Sequence, residues 1–169
     1  MADAKQVYRA QPTPDEIEDV LSLRTTATVG TLNEDGSVHL AFVIFLHRDG
    51  RLYFETSSVT RKARNIERRP QVSMIVQGRA TTGRSLMVSA EGIGQVLTGT
   101  DARRINHLIR AKYIRPDALD DIDSAWNRFD DVAIEVTPGK WRSWTGSTLH
   151  DETQKELSVT YDDVWLPDS

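Results

Sequence analysis

The fold turns on residues 53–70, Tyr53-Phe54-Glu55-Thr56-Ser57-Ser58-Val59-Thr60-Arg61-Lys62-Ala63-Arg64-Asn65-Ile66-Glu67-Arg68-Arg69-Pro70. The stretch starts as a strand, passes through a run of hydroxyls and opens a short basic helix that Pro70 closes. Thr56, Ser57, Ser58 and Thr60 are of the types that cap a helix start, where unpaired N–H groups and the helix dipole attract anions. Arg61 and Lys62 add full positive charge at that point. The residues read as a seat for a phosphate. An ordinary capped helix with a solvated basic face reads them equally well.

Helical spacing sorts the basic residues. At about 100° per residue, Ala63 and Ile66 share a face that should be buried, and Lys62 falls on its flank beside Ile66. Arg64 and Arg68 point toward water, which leaves Arg61, Lys62 and Asn65 to reach a ligand held against the neighbouring strand.

Upstream, Thr13-Pro14-Asp15-Glu16 is a helix start, and Ile17, Val20 and Leu21 give its apolar stripe to about Arg24. Strands follow at 26–32, 37–47 and 51–56, separated by Asn33-Glu34-Asp35-Gly36 and Arg48-Asp49-Gly50, a β-meander. The middle strand is apolar on both faces, Val38, Leu40, Phe42, Ile44 and Leu46 against His39, Ala41, Val43, Phe45 and His47. Such a strand needs core on one side and a second apolar surface or subunit on the other.

Downstream, strands are expected at 71–77 and 86–97, with a turn over 78–83. Gly92 and Gly94 within the second permit a bulge or close backbone approach, and Leu97 stands where a dinucleotide fingerprint needs its third glycine. Thr100-Asp101 caps a helix with Ile105, Leu108, Ile109 and Tyr113 inward. Pro116-Asp117 starts another, whose Leu119, Ile122, Trp126 and Phe129 read as core. A last strand over 131–137 is broken by Pro138-Gly139, and Lys140-Trp141-Arg142-Ser143-Trp144-Thr145-Gly146 follows. The sum is a mainly β fold: an antiparallel barrel of six to seven strands with peripheral helices. Residues 1–12 are expected to be a flexible N-terminus, 13–146 the barrel domain and 147–169 a polar C-terminal tail.

Composition sets the outer limits. The 169 residues suffice for one well-buried domain, with 38% hydrophobic and 27% charged residues. A net charge of −4 argues against a general nucleic-acid binder, so the basic cluster is a local feature. No apolar run has the length of a membrane span and the start lacks a signal-peptide core, so a cytoplasmic location is expected. With no cysteine there is no disulfide, thiolate metal site or thiol nucleophile. The four histidines show no metal-site spacing, and no metal is expected. Glu55 and Glu91 read as solvated strand positions, and no catalytic residue declares itself. Redox chemistry here would belong to a bound cofactor.

The pattern Thr56-x-x-x-Thr60-x-Lys62-x-x-Asn65-Ile66-x-x-x-Pro70-x-Val72, behind two meander strands, resembles the pyridoxamine 5′-phosphate oxidase-like split β-barrel flavoproteins. The likeness runs from about Thr13 to Trp144, with Thr60 where the family usually has serine. It implies a homodimer with cofactor sites at the subunit interface. Thr56, Ser57, Ser58, Thr60, Arg61 and Lys62 would form the phosphate seat, and Ala41, Phe42, Val43 and Ile44 would lie along the flavin ring. Trp141 and Trp144 would approach the cofactor, often from the partner subunit; as simple interface aromatics they read equally well. True pyridoxamine phosphate oxidases carry Arg-x-His near the C-terminus, whereas this chain has Arg142-Ser143-Trp144.

The Lys62-Ala63-Arg64-Asn65-Ile66 wording and the Arg-Ser-Trp ending resemble the branch that uses the deazaflavin coenzyme F420. That implies hydride transfer from the reduced deazaflavin to a small conjugated or unsaturated acceptor. An FMN-dependent reductase or oxidase, and a non-catalytic flavin, deazaflavin or haem binder, are the alternatives.

Overall fold

The computed structural model describes residues 11–166. Most of the expected flexible N-terminus, residues 1–10, lies outside the described residues. Helix α1 (Pro14–Ser22) starts on a capping box: Glu16 N donates to Thr13 Oγ1 at 3.3 Å and Thr13 N to Glu16 Oε2 at 2.9 Å. The Glu16 carboxylate also accepts from Arg84 Nη1 at 2.8 Å and from the Thr82 hydroxyl at 2.7 Å. These bonds pin α1 to a distant turn, and Val20 and Leu21 are buried in the core.

Six strands close a barrel in the order β1-β2-β3-β6-β5-β4. They are β1 (Thr26–Leu32), β2 (Val38–Arg48), β3 (Arg51–Ser57), β4 (Gln71–Arg79), β5 (Ser85–Leu97) and β6 (Asp131–Thr145). Every pairing is antiparallel, as the short meander turns dictate. Val29, Phe45, Phe54, Met74, Val76, Val88 and Ile134 fill the interior. Helix α2 (Arg61–Arg68) buries Ala63 and Ile66, as its spacing requires.

Helix α3 (Gly99–Tyr113) covers the outside of β3 and β6, where Ala102, Ile105 and Ile109 pack on Tyr53 and Ala133. Its end is stitched to β2. Tyr113 Oη lies 2.7 Å from Thr25 O and 3.0 Å from Phe45 O, and Lys112 Nζ lies 3.1 Å from Leu21 O. The two faces of β2 are thereby explained. Val43 and Phe45 point into the barrel, Ile44 and Leu46 lie under α3, and Val38, Leu40 and Phe42 remain 60%, 64% and 79% exposed.

Several local expectations need correction. Helix α3 starts one turn position earlier than Thr100-Asp101, behind Thr98, because Gly99 with φ +60° turns the chain out of β5. Helix α4 (Pro116–Trp126) buries none of its residues. Trp126 and Phe129 are 37% and 69% exposed and not core; the Trp126 ring instead covers the buried Arg110 guanidinium, whose Cζ lies 5.1 Å from its centroid. Pro138-Gly139 does not end β6. The β5–β6 ladder slips by a bulge at Glu91/Gly92 and runs on to Thr145, so Pro138 needs no ladder donor. Gly92 makes that slip possible, because a Cβ there would stand 2.2 Å from Thr137 O.

Beyond β6, residues 147–169 contain helix α5 (Ser147–Gln154) and a 3₁₀ turn, Tyr161–Val164. The His150 and Tyr161 rings meet at a tilt with centroids 4.2 Å apart, and Trp165 meets Tyr161 edge-on at 5.6 Å.

Candidate functional site

Strands β2 and β3 leave a common turn and then part. Their ladder begins at Arg48↔Arg51 and stops at Phe45↔Phe54. Past that rung, Ala41–Ile44 pair with β1, while Glu55–Ser57 pair with β6. Helix α2 begins where β3 ends, so its N-terminus opens at the fork.

The hydroxyls of the fork are arranged around Thr60, the N-cap of α2. Thr60 Oγ1 donates to Ser57 O at 2.8 Å and accepts from Ala63 N at 3.4 Å. A hydroxyl has one proton, so in the 3.0 Å contact between Thr56 Oγ1 and Thr60 Oγ1 the donor is Thr56. These two side chains build the turn and leave the first N–H groups of the helix, those of Arg61 and Lys62, facing outward from it. Ser57 is half-buried beside them, whereas the Ser58 hydroxyl is bonded to the carboxylate of Asp130, whose backbone carbonyl also accepts from Ser58 N at 3.3 Å. Ser58 therefore acts on the shape of the turn.

Lys62 is half-buried, and burial alone pushes its ammonium below the usual lysine range, with no carboxylate compensating. A desolvated cation beside open N–H groups is the arrangement that an anion relieves. Arg61 is exposed and lines a groove of about 430 Å³ with Arg64 and Arg68, across from Glu34 and Asp35. Asn65 does not reach a ligand: it is buried, and its amide donates to Thr31 Oγ1 at 3.1 Å and Asn33 Oδ1 at 3.0 Å, tying α2 to β1. Along the other arm of the fork, Val43 points into the core, Ala41 and Ile44 are half-buried and Phe42 is bare. A ligand lying there meets the Phe42 side chain and the β2 backbone.

On the face of β3 that α3 covers lies a network that sequence reading missed. The Arg110 side chain is wholly buried. Its Nε lies 3.1 and 3.0 Å from the two Glu55 oxygens, Nη1 lies 2.9 Å from Asp123 Oδ1 and 3.1 Å from Asn127 Oδ1, and Nη2 lies 3.2 Å from Asp131 Oδ2. Glu55 adjoins Thr56 in the chain and pairs across the sheet with Ala133, so one guanidinium joins β3, β6, α3 and α4 on the face of β3 opposite the Thr56 side chain. Burial holds Glu55 and Asp131 above the usual carboxylate range despite Arg110. Glu55 is thus no solvated position, a correction; Glu91 is one, accepting from Arg142 Nε at the surface at 3.3 Å. Arg110 follows Ile109 on a helix with polar residues all round, so no pattern in the sequence marks it as buried.

Trp141 and Trp144 are not neighbours. Alternate strand residues face opposite ways, so Trp141 shares the inward face of β6 with Ser143 and Thr145, opposite buried Ala90, Val88 and Leu86. Trp144 faces the other way. From Val132, the partner of Thr56, to Trp141 is roughly 30 Å of strand at ~3.3 Å per residue, so one chain does not bring these tryptophans to its own seat.

Residues 13–145 match the model of the pyridoxamine 5′-phosphate oxidase family. The chain belongs to that family. Among solved structures, it resembles a conserved hypothetical protein of Mycobacterium tuberculosis at 25% identity and TM-score 0.68, over 82% of this chain and 88% of that one. A protein described as an F420 reductase aligns at 22% identity and TM-score 0.58, over 78% of this chain and 98% of the other. The haem storage protein HutZ of Vibrio cholerae aligns at 15% identity and TM-score 0.61, over 78% and 94%. These likenesses show the split-barrel fold. No curated protein matches the chain.

Within the pyridoxamine 5′-phosphate oxidase family, the departure at Arg142-Ser143-Trp144 now has a structural setting. Arg142 and Trp144 share the outward face of β6, and Arg142 is paired with Glu91. Among the described residues there is no group of three His, Cys, Asp or Glu side chains that could hold a metal, and no helix is long and apolar enough to cross a membrane.

Proposed function

We propose that the protein is an F420H2-dependent reductase that transfers a hydride to a small conjugated acceptor. The observation that carries the reading is the desolvated, uncompensated Lys62 at the open N-terminus of α2, in the fork beside Ala41–Ile44. Lys62, Arg61 and the first helical N–H groups hold the cofactor phosphate, over a turn set by Thr56, Ser57 and Thr60. The β2 backbone and Phe42 orient the ring.

The deazaflavin is preferred to FMN because of the groove beyond Arg61. Arg61 and Arg64 continue the positive charge away from the seat, while Arg68 in the same groove is paired with Glu34; those two cations suit the anionic oligoglutamyl tail of coenzyme F420, whereas FMN ends at its phosphate. The absent histidine of Arg142-Ser143-Trp144 argues against oxidation of pyridoxamine phosphate. FMN remains the second reading, since family membership and the phosphate seat support it too.

When bound, the reduced cofactor supplies the hydride. The chain's own contribution is to bind, to orient and to exclude water, which needs no protein nucleophile. The site is completed in a homodimer: the bare stripe of Val38, Leu40 and Phe42 needs an apolar cover, and Trp144 would reach the ring from the second copy.

Paired titrations of the apo protein with FMN and oxidised coenzyme F420, read by fluorescence, test the proposal. Selective deazaflavin binding followed by turnover of the reduced form with conjugated acceptors supports it. A preference for FMN overturns the cofactor assignment, and binding of neither overturns the seat.

A further inference from the structure

The end of β3 and the start of β6, which meet beside the hydroxyl turn, carry one carboxyl group each, Glu55 and Asp131. Asp131 is the register partner of Ser57, which shares a strand face with Glu55, so both carboxyls lie on the side that α3 covers. Nη2 of the wholly buried Arg110 bonds Glu55 Oε1 and lies 3.2 Å from Asp131 Oδ2. The two carboxyl groups are also in hydrogen-bond contact with each other. Ionised carboxylates only accept, so that contact needs a proton between them.

The charge balance asks for the same proton. Arg110 of α3 faces Glu55 of β3, Asp123 of α4 and Asp131 of β6. The other cationic partner of these carboxylates among the described residues is His107 of α3, which is paired with Asp123. Even with His107 counted as charged, three carboxylates meet two positive groups. A buried excess charge of this kind is relieved by keeping a proton. Burial, with Asp131 and Asp123 alongside, holds Glu55 above the usual carboxylate range, and burial, with the exposed Asp130 alongside, does the same for Asp131.

We propose that Glu55 and Asp131 share one proton across Arg110, and that this proton latches the start of β6 to the end of β3 beside the hydroxyl turn. When the proton leaves, the O–H···O bond gives way to repulsion between two carboxylates, and Asp131, the more exposed of the two, turns to water. Its neighbour Asp130 holds Ser58 twice, by its carboxylate on the hydroxyl and by its carbonyl on Ser58 N at 3.3 Å. Release of Asp131 therefore loosens the turn that leads to the Thr60 cap. A proton bound more tightly in the closed state favours that state at low pH, so the latch opens as pH rises. The inference does not rest on which cofactor the seat takes.

Two NMR measurements on the full chain test the latch. Carboxyl-carbon titrations should show Glu55 and Asp131 moving together, with one proton kept above the ordinary values of 4.5 and 3.8. Hydrogen exchange at the Ser58 amide, corrected for its intrinsic pH dependence, should lose about tenfold in protection as that proton leaves. Glu55→Gln puts a neutral donor where the shared proton sits, so Ser58 should stay protected across the same range. The wild-type titration and exchange stand whether or not the variant folds. Separate ionisation of the two carboxyls at or below 4.5 and 3.8 overturns the shared proton. Ser58 protection that is flat in wild type, or that falls equally in Glu55→Gln, overturns the latch.

Discussion

The guanidinium of Arg110 closes on the carboxylate of Glu55, with Nε 3.1 and 3.0 Å from its two oxygens, one residue before Thr56 of the seat. The strand that leads into the helix start is therefore anchored on its outer face by a buried charge network. Such a network is costly to assemble and far more costly to break by halves.

Arg110→Met leaves Glu55, Asp123 and Asp131 without their shared partner. The expected loss is about 3–5 kcal/mol of folding stability by urea denaturation, partly recovered in Arg110→Lys. A loss below about 1 kcal/mol would mean that water replaces the guanidinium and that the network is not buried in solution.

Lys62→Ala should weaken cofactor binding by about 1.5–3 kcal/mol, because a charge-assisted phosphate contact is removed, while stability changes little. Burial lowers the Lys62 pKa from the ordinary 10.5, so affinity should fall with rising pH before 10.5 is reached. Lys62→Arg should remove that fall. Parallel curves for wild type and Lys62→Arg between pH 7 and 10.5 would assign the dependence to another group.

Glu16 and Glu55 tilt stability in opposite directions. Hydrogen bonds from Thr13 N and Thr82 and the Arg84 charge hold Glu16 below its ordinary 4.5, so its contribution is present above 4.5 and lost as pH falls below it. Burial holds Glu55 above 4.5, so the folded state binds its proton more tightly and stability declines as pH rises from 4.5 through the raised value. In pH-dependent urea melts, Glu16→Gln should flatten the acid limb below 4.5 and Glu55→Gln should flatten the slope above it. The same limb surviving in Glu16→Gln would move acid sensitivity elsewhere.

Leu40→Glu places a charge in the middle of the bare stripe on β2, where Leu40 is 64% exposed in the single chain. Sedimentation should show a dimer for wild type and a monomer for the variant, with the fold intact by circular dichroism. An unchanged dimer would put the interface on another face.

Much of this was legible in the sequence because it is local. Thr13 and Glu16 form the capping box that their spacing announces, Ala63 and Ile66 are buried as a helical period of 3.6 requires, and the meander turns fall at Gly36 and Gly50. Gly92 sits at the bulge that its presence in a strand suggested, although the same bulge carries β6 through Pro138, where a break was expected. Trp126 and Phe129 show the limit of periodicity: an apolar stripe says that a face wants cover, not that this chain supplies it.

The sequence by itself determined the β-meander, the helix start at Thr60 and the positive charge beside it, because caps, turns and strand alternation depend on residues within a few positions of one another. Tertiary structure alone decided that β2 and β3 part at Phe45 and Phe54, that Asn65 is spent on Thr31, that Trp141 and Trp144 face apart, and that Arg110 is buried on Glu55. Each of these depends on which distant segment arrives alongside, such as Glu55 and Arg110, 55 residues apart. A long-range contact of that kind is chosen by the packing of the whole barrel, and no local pattern encodes it.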